Sequence, residues 1–551
     1  MTSLALAASA ALLAAAAAGA APAASEAPHL RRQGTAVQLI VDGQPFLIRG
    51  GELGNSSGEP AYLRPFWPKL KALNLNTLLV PVYWDQIEPL EGRFDFATVD
   101  GLLADARASG MRLVLLWFGS WKNSMSCYAP AWVKRDTARF PRARDGSGRS
   151  VEILSAFAPA NVEADARAFA ALMKHLRTAD AGARTVIMVQ VENEVGMIPD
   201  ARDRSPAADA AYALPVPAEL LAALAAPGPG DEELRRLWQA AGGRTSGTWS
   251  EVFGAGATGE EVFTAWHLAR FTQQVAAAGR AEYALPFYAN AALIRPGYQP
   301  GQYPSGGPLP HLAAVWRAAA PDIDFIAPDI YFANFTEWAR RYVRAGQPLF
   351  VPEALRGPEA AVNALYAFGA HDAIGFCPFA IESITEPSAG ALTAAFDLVA
   401  QLTPLLVQHQ GRGTTAGLVF EGPENRTGQQ VRLGGYALQA TFERTAGPQL
   451  ADGVVVAVGG APAGAPPTPA GGLVIASGPD EMLIAGTGVT VVFTSLRPGE
   501  NVGLLGVEEG RFEGGQWRHL RWLNGDQTHQ GRHVRLEPGR FGLQRVTLYR
   551  Y

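Results

Sequence analysis

The sequence predicts an α/β protein: a (β/α)8 barrel over residues 25–404, followed by an antiparallel β-sandwich over residues 405–551. Two patterns carry that prediction. Eight short apolar runs recur between residues 46 and 380, with longer amphipathic segments between them, as expected for strands alternating with helices around a parallel sheet. Past residue 404 the helical periodicity stops. Alternating apolar runs take over, punctuated by turn sequences such as "GPEN", "RPGEN" and "LNGD", which suits stacked antiparallel sheets. The length of 551 residues accommodates both units. A doubly wound open sheet is the competing architecture, and eight units favour closure.

Taken in order, the chain begins with Leu4–Ala24, apolar and rich in Ala. Small-residue cleavage patterns lie at Ala18-Gly19-Ala20 and Ala21-Pro22-Ala23. Residues 1–24 read as a secretory signal peptide, although the usual positive n-region is missing. The protein is therefore expected to be exported, to the periplasm or the medium. No later stretch reads as the roughly 20 apolar residues of a membrane span. The strand candidates are Phe46–Arg49, Thr77–Tyr83, Leu113–Phe118, Thr185–Val191, Pro286–Asn290, Ile323–Tyr331, Leu349–Val351 and Ile374–Phe379. Helical patterns at Val99–Ala108, Val162–Leu176, Leu309–Ala319, Phe335–Ala345 and Ala360–Phe368 lie between them. Residues 199–260, rich in Ala, Pro and Gly, form an insertion between the fourth and fifth runs, helical around Asp231–Ala241. In the C-terminal part, "GGAPAGAPPTPAGG" (459–472) has the composition of a loop.

Composition excludes several classes. A net charge of −5 with no basic tract argues against a nucleic-acid partner. The nine histidines are scattered, without a metal-binding pair on one helix, so no metal is expected. "GAGATG" at Gly254–Gly259 has the spacing of a dinucleotide loop but follows no apolar strand. No cofactor is expected. Cys127 and Cys377 can pair only if the fold brings them together.

The chemistry concentrates where charge interrupts apolar runs. "MVQVENEVG" (188–196) ends the fourth run in Glu192-Asn193-Glu194, and "PLFVPEAL" places Glu353 at the end of the seventh. Barrels deliver catalytic groups at the C-terminal ends of their strands. A regular strand would put Glu192 and Glu194 on one side and Asn193 on the other. Two acids meeting over the barrel mouth at about 5–5.5 Å are what a retaining glycosidase requires. Aromatic and amide groups at the other strand ends are candidates for sugar contact: Tyr83, Trp117, Asn123 and Tyr331, with Glu382 just past the eighth run.

"VENEVG" and "FVPEAL" resemble the acid/base and nucleophile segments of glycoside hydrolase family 35, the retaining β-galactosidases. "FLIRGGELGNSS" (46–57), "VPVYWDQIEPLEGRFDF" (80–96), "LWFGSWKNSMSCYAPAWVK" (116–134), "YPSGGPLPH" (303–311) and "GFCPFAIES" (375–383) resemble its bacterial branch, which carries a small C-terminal β-domain. The resemblance implies Glu194 as acid/base, Glu353 as nucleophile and Asn193 as partner of the sugar 2-hydroxyl. The expected activity is release of terminal β-linked galactose from oligo- or polysaccharides. Val195 and the acid-free "WFGSWKN" depart from the eukaryotic-type members. They leave open a β-glucoside or arabinose-configured substrate, and a non-catalytic glycan-binding barrel is the alternative of another class. Whether the C-terminal domain binds glycan or buttresses the barrel, and the oligomeric state, are not legible.

Overall fold

A computed structural model describes residues 26–226, 228, 231–343, 346–422, 428–444, 449–451, 454–456 and 468–551. The signal-peptide candidate and residues 459–467 of the Gly/Pro-rich loop lie outside them. Eight parallel strands close into a barrel. They are β1 (Ile48–Glu52), β2 (Thr77–Tyr83), β3 (Arg112–Lys122), β4 (Val186–Asn193), β5 (Phe287–Ala292), β6 (Phe325–Ile330), β7 (Phe350–Ala354) and β8 (Gly375–Pro378). Each neighbours the next in sequence, and β8 returns to β1 through Gly375↔Ile48 and Phe376↔Arg49.

The strands read as continuous apolar runs because both faces are buried. Ile48, Leu79, Val114, Leu116, Met188, Tyr288, Phe325 and Phe350 fill the barrel interior. Their alternates, among them Leu78, Val80, Leu113, Leu115, Val189 and Val191, pack outward against the helices. An N-terminal hairpin, His29–Gln33 with Ala36–Val41, sends Leu39 and Val41 into the interior cluster. Each fully buried Leu, Val or Phe contributes roughly 1.5–3 kcal/mol.

The helices that matter here are α1 (Ala97–Ser109), α2 (Pro159–Ala179), α3 (Ala257–Glu282), α4 (Glu359–His371) and α5 (Ser388–His409). α1 ends on Gly110 at φ +70°, where the left-handed cap needs a residue without Cβ. The insertion between β4 and β5 carries short helices at Pro206–Tyr212, Ala218–Ala225, Glu232–Ala240 and Trp249–Phe253. The domain boundary expected at 404/405 falls inside α5, which continues past Pro404 to His409. α5 is also long and apolar enough to cross a membrane, contrary to the sequence reading. Its Leu392, Phe396, Val399, Leu402 and Leu406 instead pack into the barrel's outer core.

Beyond α5 a six-stranded and a four-stranded antiparallel sheet enclose Leu438, Val474, Ile484, Val491 and Val546. The larger sheet's other face joins the barrel core through Leu473, Ile475 and Leu483. Glycines permit the close approach to α4. A Cβ on Gly369 would lie 2.5 Å from the Ala416 carbonyl oxygen, and one on Gly417 would lie 2.6 Å from that of Tyr366. This packing gives the sheet a buttressing position. Cys127 and Cys377 are both free and buried, in the outer layer and the interior respectively.

Candidate active site

The end of β4 departs from strand alternation. Glu192 and Glu194 adopt φ of +64° and +46°, a left-handed conformation that is costly for bulky residues and concentrates at functional sites. The two acids consequently do not share a side, as a regular strand would have required. Glu192 turns outward toward α2, and its Oε2 accepts the backbone N–H of Trp121, on β3, at 2.8 Å. It faces Asp165, and burial first, then the Asp165 charge, push its carboxyl well above the usual range. Asp165 accepts from Trp117 Nε1 at 2.8 Å and the Ser120 N–H at 3.0 Å. Glu192 is thus part of the barrel–helix joint.

Asn193 and Glu194 face the barrel mouth. Lys122, at the end of β3, donates to Asn193 Oδ1 at 2.7 Å, which aims Asn193 Nδ2 at Glu353 Oε1, 3.4 Å away. The Glu194 N–H donates to Asn290 Oδ1 at 3.0 Å, and its carboxylate accepts from Asn123 Nδ2. Asn123 itself sits at φ +55°, a conformation Asn tolerates better than most residues. Across the mouth, Glu353 Oε2 accepts from the Tyr331 hydroxyl at 2.6 Å, and Oε1 from Asn290 Nδ2 at 3.3 Å. Asp329, ending β6, accepts from Asn290 Nδ2 at 2.8 Å. One oxygen each of Glu194, Asp329 and Glu353 lies within 4.8 Å of the others.

So many acids in so little water cannot all ionise. Glu194 is pushed up to about 7, by burial first and then by the Glu353 charge, against the opposing pull of Lys122. Asp329 lies well above the usual carboxylate range, through burial and then the charges of Glu353 and Glu194. Glu52, wholly buried at the end of β1, is raised the same way, and its carboxyl is within hydrogen-bonding reach of Glu353. Protonated, it can donate there. Three buried oxygens this close would also suit a cation by spacing alone. Tyr331, Asn290, Asn193 and Asn123 donate to all three of these acids already, and an acid cluster by itself defines no metal site.

A cavity of about 510 Å³ opens over these groups, lined by Asn123, Glu194, Asp329 and Tyr331 among others. Of the residues expected to contact sugar, Asn123 and Tyr331 line it, Asn193 is off its wall but bonds Glu353, and three others are held elsewhere. Trp117 is fully buried on the outer face of β3, tied to Asp165. Tyr83 is buried against Phe118 and Tyr128, its hydroxyl donating to the Asn55 carbonyl at 2.8 Å. Glu382 accepts from Ser57 Oγ at 2.7 Å and the Gly54 N–H at 3.1 Å, pinning the loop after β1. Position at a strand end did not reveal direction. The sequence reading missed Asp329, Asn290, Lys122 and Glu52. Asp329 carried a usable signal, since "FIAPDI" is an apolar run broken by one acid, the same signal that marked β4.

Fold and site together define a closed barrel with buried carboxylates meeting at its mouth. Residues 68–220 match the family model of glycoside hydrolase family 42, described as β-galactosidase. That stretch, which holds barrel strands β2 to β4, is similar to a glycoside hydrolase domain. Residues 392–535 match a domain of unknown function, DUF5597. A β-galactosidase of Xanthomonas manihotis is 30% identical over 180 residues, 31% of this chain and 27% of that protein. The chain therefore spans about a quarter of that curated relative. Solved structures that resemble it include β-galactosidases from the psychrophilic Marinomonas ef1 (TM-score 0.46, 13% identity, 66% of this chain and 60% of that one) and from Rahnella sp. R3 (0.45, 17%, 65% and 57%). The family number differs from the one the motifs resembled. The matches name family 42 and give no support to family 35, while agreeing on the β-galactosidase class.

Proposed function

We propose that the chain is an exported retaining exo-β-galactosidase that releases terminal β-linked galactose from oligo- or polysaccharides. The observation that carries this reading is the pair of carboxylates, Glu194 at the end of β4 and Glu353 at the end of β7, with oxygens within 4.8 Å. That is the short spacing that double displacement uses, rather than the wider gap that leaves room for a water. Glu353, hydrogen-bonded by Tyr331 and Asn290, attacks the anomeric carbon. Glu194, raised to about 7, is available as a proton donor near neutrality and passes its proton to the leaving oxygen. It then takes a proton from the water that releases the sugar. Asn193 Nδ2, held beside Glu353 by Lys122, is placed to bond the 2-hydroxyl as charge develops. The reading rests on this geometry and on the matched domain, not on a family number.

The test is turnover of a panel of nitrophenyl glycosides. The β-galactoside is expected to be the preferred substrate, and both Glu353→Ala and Glu194→Ala are expected to lose activity. Azide should restore Glu194→Ala and yield the β-galactosyl azide. NMR of the first product formed by the wild type should show β-galactose. The α anomer appearing first would refute the retaining mechanism, and full activity in Glu353→Gln would refute the site.

A further inference from the structure

The catalytic cavity does not end at the barrel mouth. Tyr298 and Tyr303 line it, and the same two residues line a second cavity of about 390 Å³. Both volumes fall within the roughly 300–1,000 Å³ of ligand pockets. Tyr303 is a fixed divider, buried, with its hydroxyl donating to Glu261 Oε1 at 2.8 Å. Tyr298 is 41% exposed, and the Arg295 guanidinium lies over its ring at 5.9 Å. One ring face is therefore held while the side chain remains open to both spaces.

Direction follows from the acid/base. Glu194 is on the wall of the first cavity, and in an exo-acting enzyme only the leaving group extends beyond the terminal sugar. An acid that protonates the leaving oxygen must lie on the leaving group's side. The path from Glu194 past Tyr298 into the second cavity is thus the path the leaving group follows.

The far wall has the mixed character that sugars need. Arg236, Gln299 and Arg341 offer polar groups, and Ile294, Leu237 and Pro300 offer apolar surface. Its charges are largely answered within the protein. Glu233 pairs with Arg341 at 2.9 Å, and Glu261 is bonded by Tyr303 and His311. A wall so neutralised suits an uncharged, hydroxyl-rich ligand better than an anion. Glu233, Arg236 and Leu237 come from the helix Glu232–Ala240 of the insertion, and an ion pair between Asp231 and Arg317 ties that helix's start to the barrel.

From the shared Tyr298–Tyr303 edge and the position of Glu194, we infer that the second cavity is a subsite for the sugars of the leaving group. The natural substrate is then a galactose-capped oligosaccharide or polysaccharide side chain rather than a free disaccharide. This deepens, and rests on, the β-galactosidase reading. Binding energy gathered there is remote from the reacting bond and raises kcat/KM for extended substrates.

The experiment compares kcat/KM for nitrophenyl β-galactoside, a β-galactosyl disaccharide and a galactose-capped tetrasaccharide, in the wild type and in a combined Arg236→Ala, Gln299→Ala variant. The wild type is expected to prefer the tetrasaccharide to the disaccharide by tenfold or more. In the variant, with unchanged circular dichroism and Tm, the ratio of tetrasaccharide to nitrophenyl galactoside should fall about tenfold. Equal rates for both lengths, or a variant that loses both substrates in proportion, would overturn the subsite. Failure of the wild type to cleave any β-galactoside would instead remove the functional reading beneath it.

Discussion

Replacing Glu353 by Gln should lower the pKa of Glu194 by about two to three. The two carboxylates approach within 4.8 Å. Two unit charges at that distance repel by about 3.5 kcal/mol at an effective dielectric near 20. At about 1.4 kcal/mol per tenfold, that is between two and three pH units. Burial, the larger cause of the value near 7, persists in the variant, but so does the opposing pull of Lys122, so Glu194 should titrate at about 4–5, close to an exposed glutamate. The assay is a 13C-NMR titration of the Glu194 carboxyl in wild type and variant. In the wild type the same ionisation should form the alkaline limb of the kcat/KM profile on an aryl galactoside, near pH 7, because activity needs the protonated acid. A Glu194 that titrates near 7 in both proteins would show that the carboxylates are not coupled, and the proposed pairing would fall.

Three further outcomes follow from the same site. Because the folded value of Glu194 is raised above the ordinary 4.5 to about 7, the native state holds an extra proton between those values. Its stability contribution is complete below about 4.5 and is lost as pH rises through 7. Glu194→Gln should therefore raise stability by up to about 3 kcal/mol at pH 8 and by almost nothing at pH 4, read by urea unfolding at each pH. Trp117→Phe removes a buried bond to Asp165. It should cost about 1–3 kcal/mol of stability while leaving KM for an aryl galactoside within twofold; a large rise in KM would return Trp117 to the sugar site. At Glu52, Gln keeps a neutral donor beside Glu353 and Leu does not. Glu52→Gln should retain kcat within a few fold, and Glu52→Leu should lose about tenfold or more; equal losses would exclude the hydrogen bond as the cause.

The sequence by itself determined the architecture and the two principal acids. Strands buried on both faces must be apolar throughout, so eight such runs announce a barrel, and a charge ending a run marks a place where the protein tolerates the expense. Glu194 and Glu353 were legible for that reason, and Asp329 could have been. The orientation of side chains at the strand ends was decided only in three dimensions. Positive φ at Glu192 and Glu194 broke the two-residue alternation, turning Glu192 to Asp165 and Glu194 to Asn123. Trp117, Tyr83 and Glu382 look equally placed in sequence, yet Asp165, Asn55 and Ser57 claim their polar atoms. Lys122, Asn290 and Glu52 matter through partners that lie 39 to 301 positions away in the chain. Local pattern records what burial demands of each residue, and only closure of the barrel settles which buried groups meet.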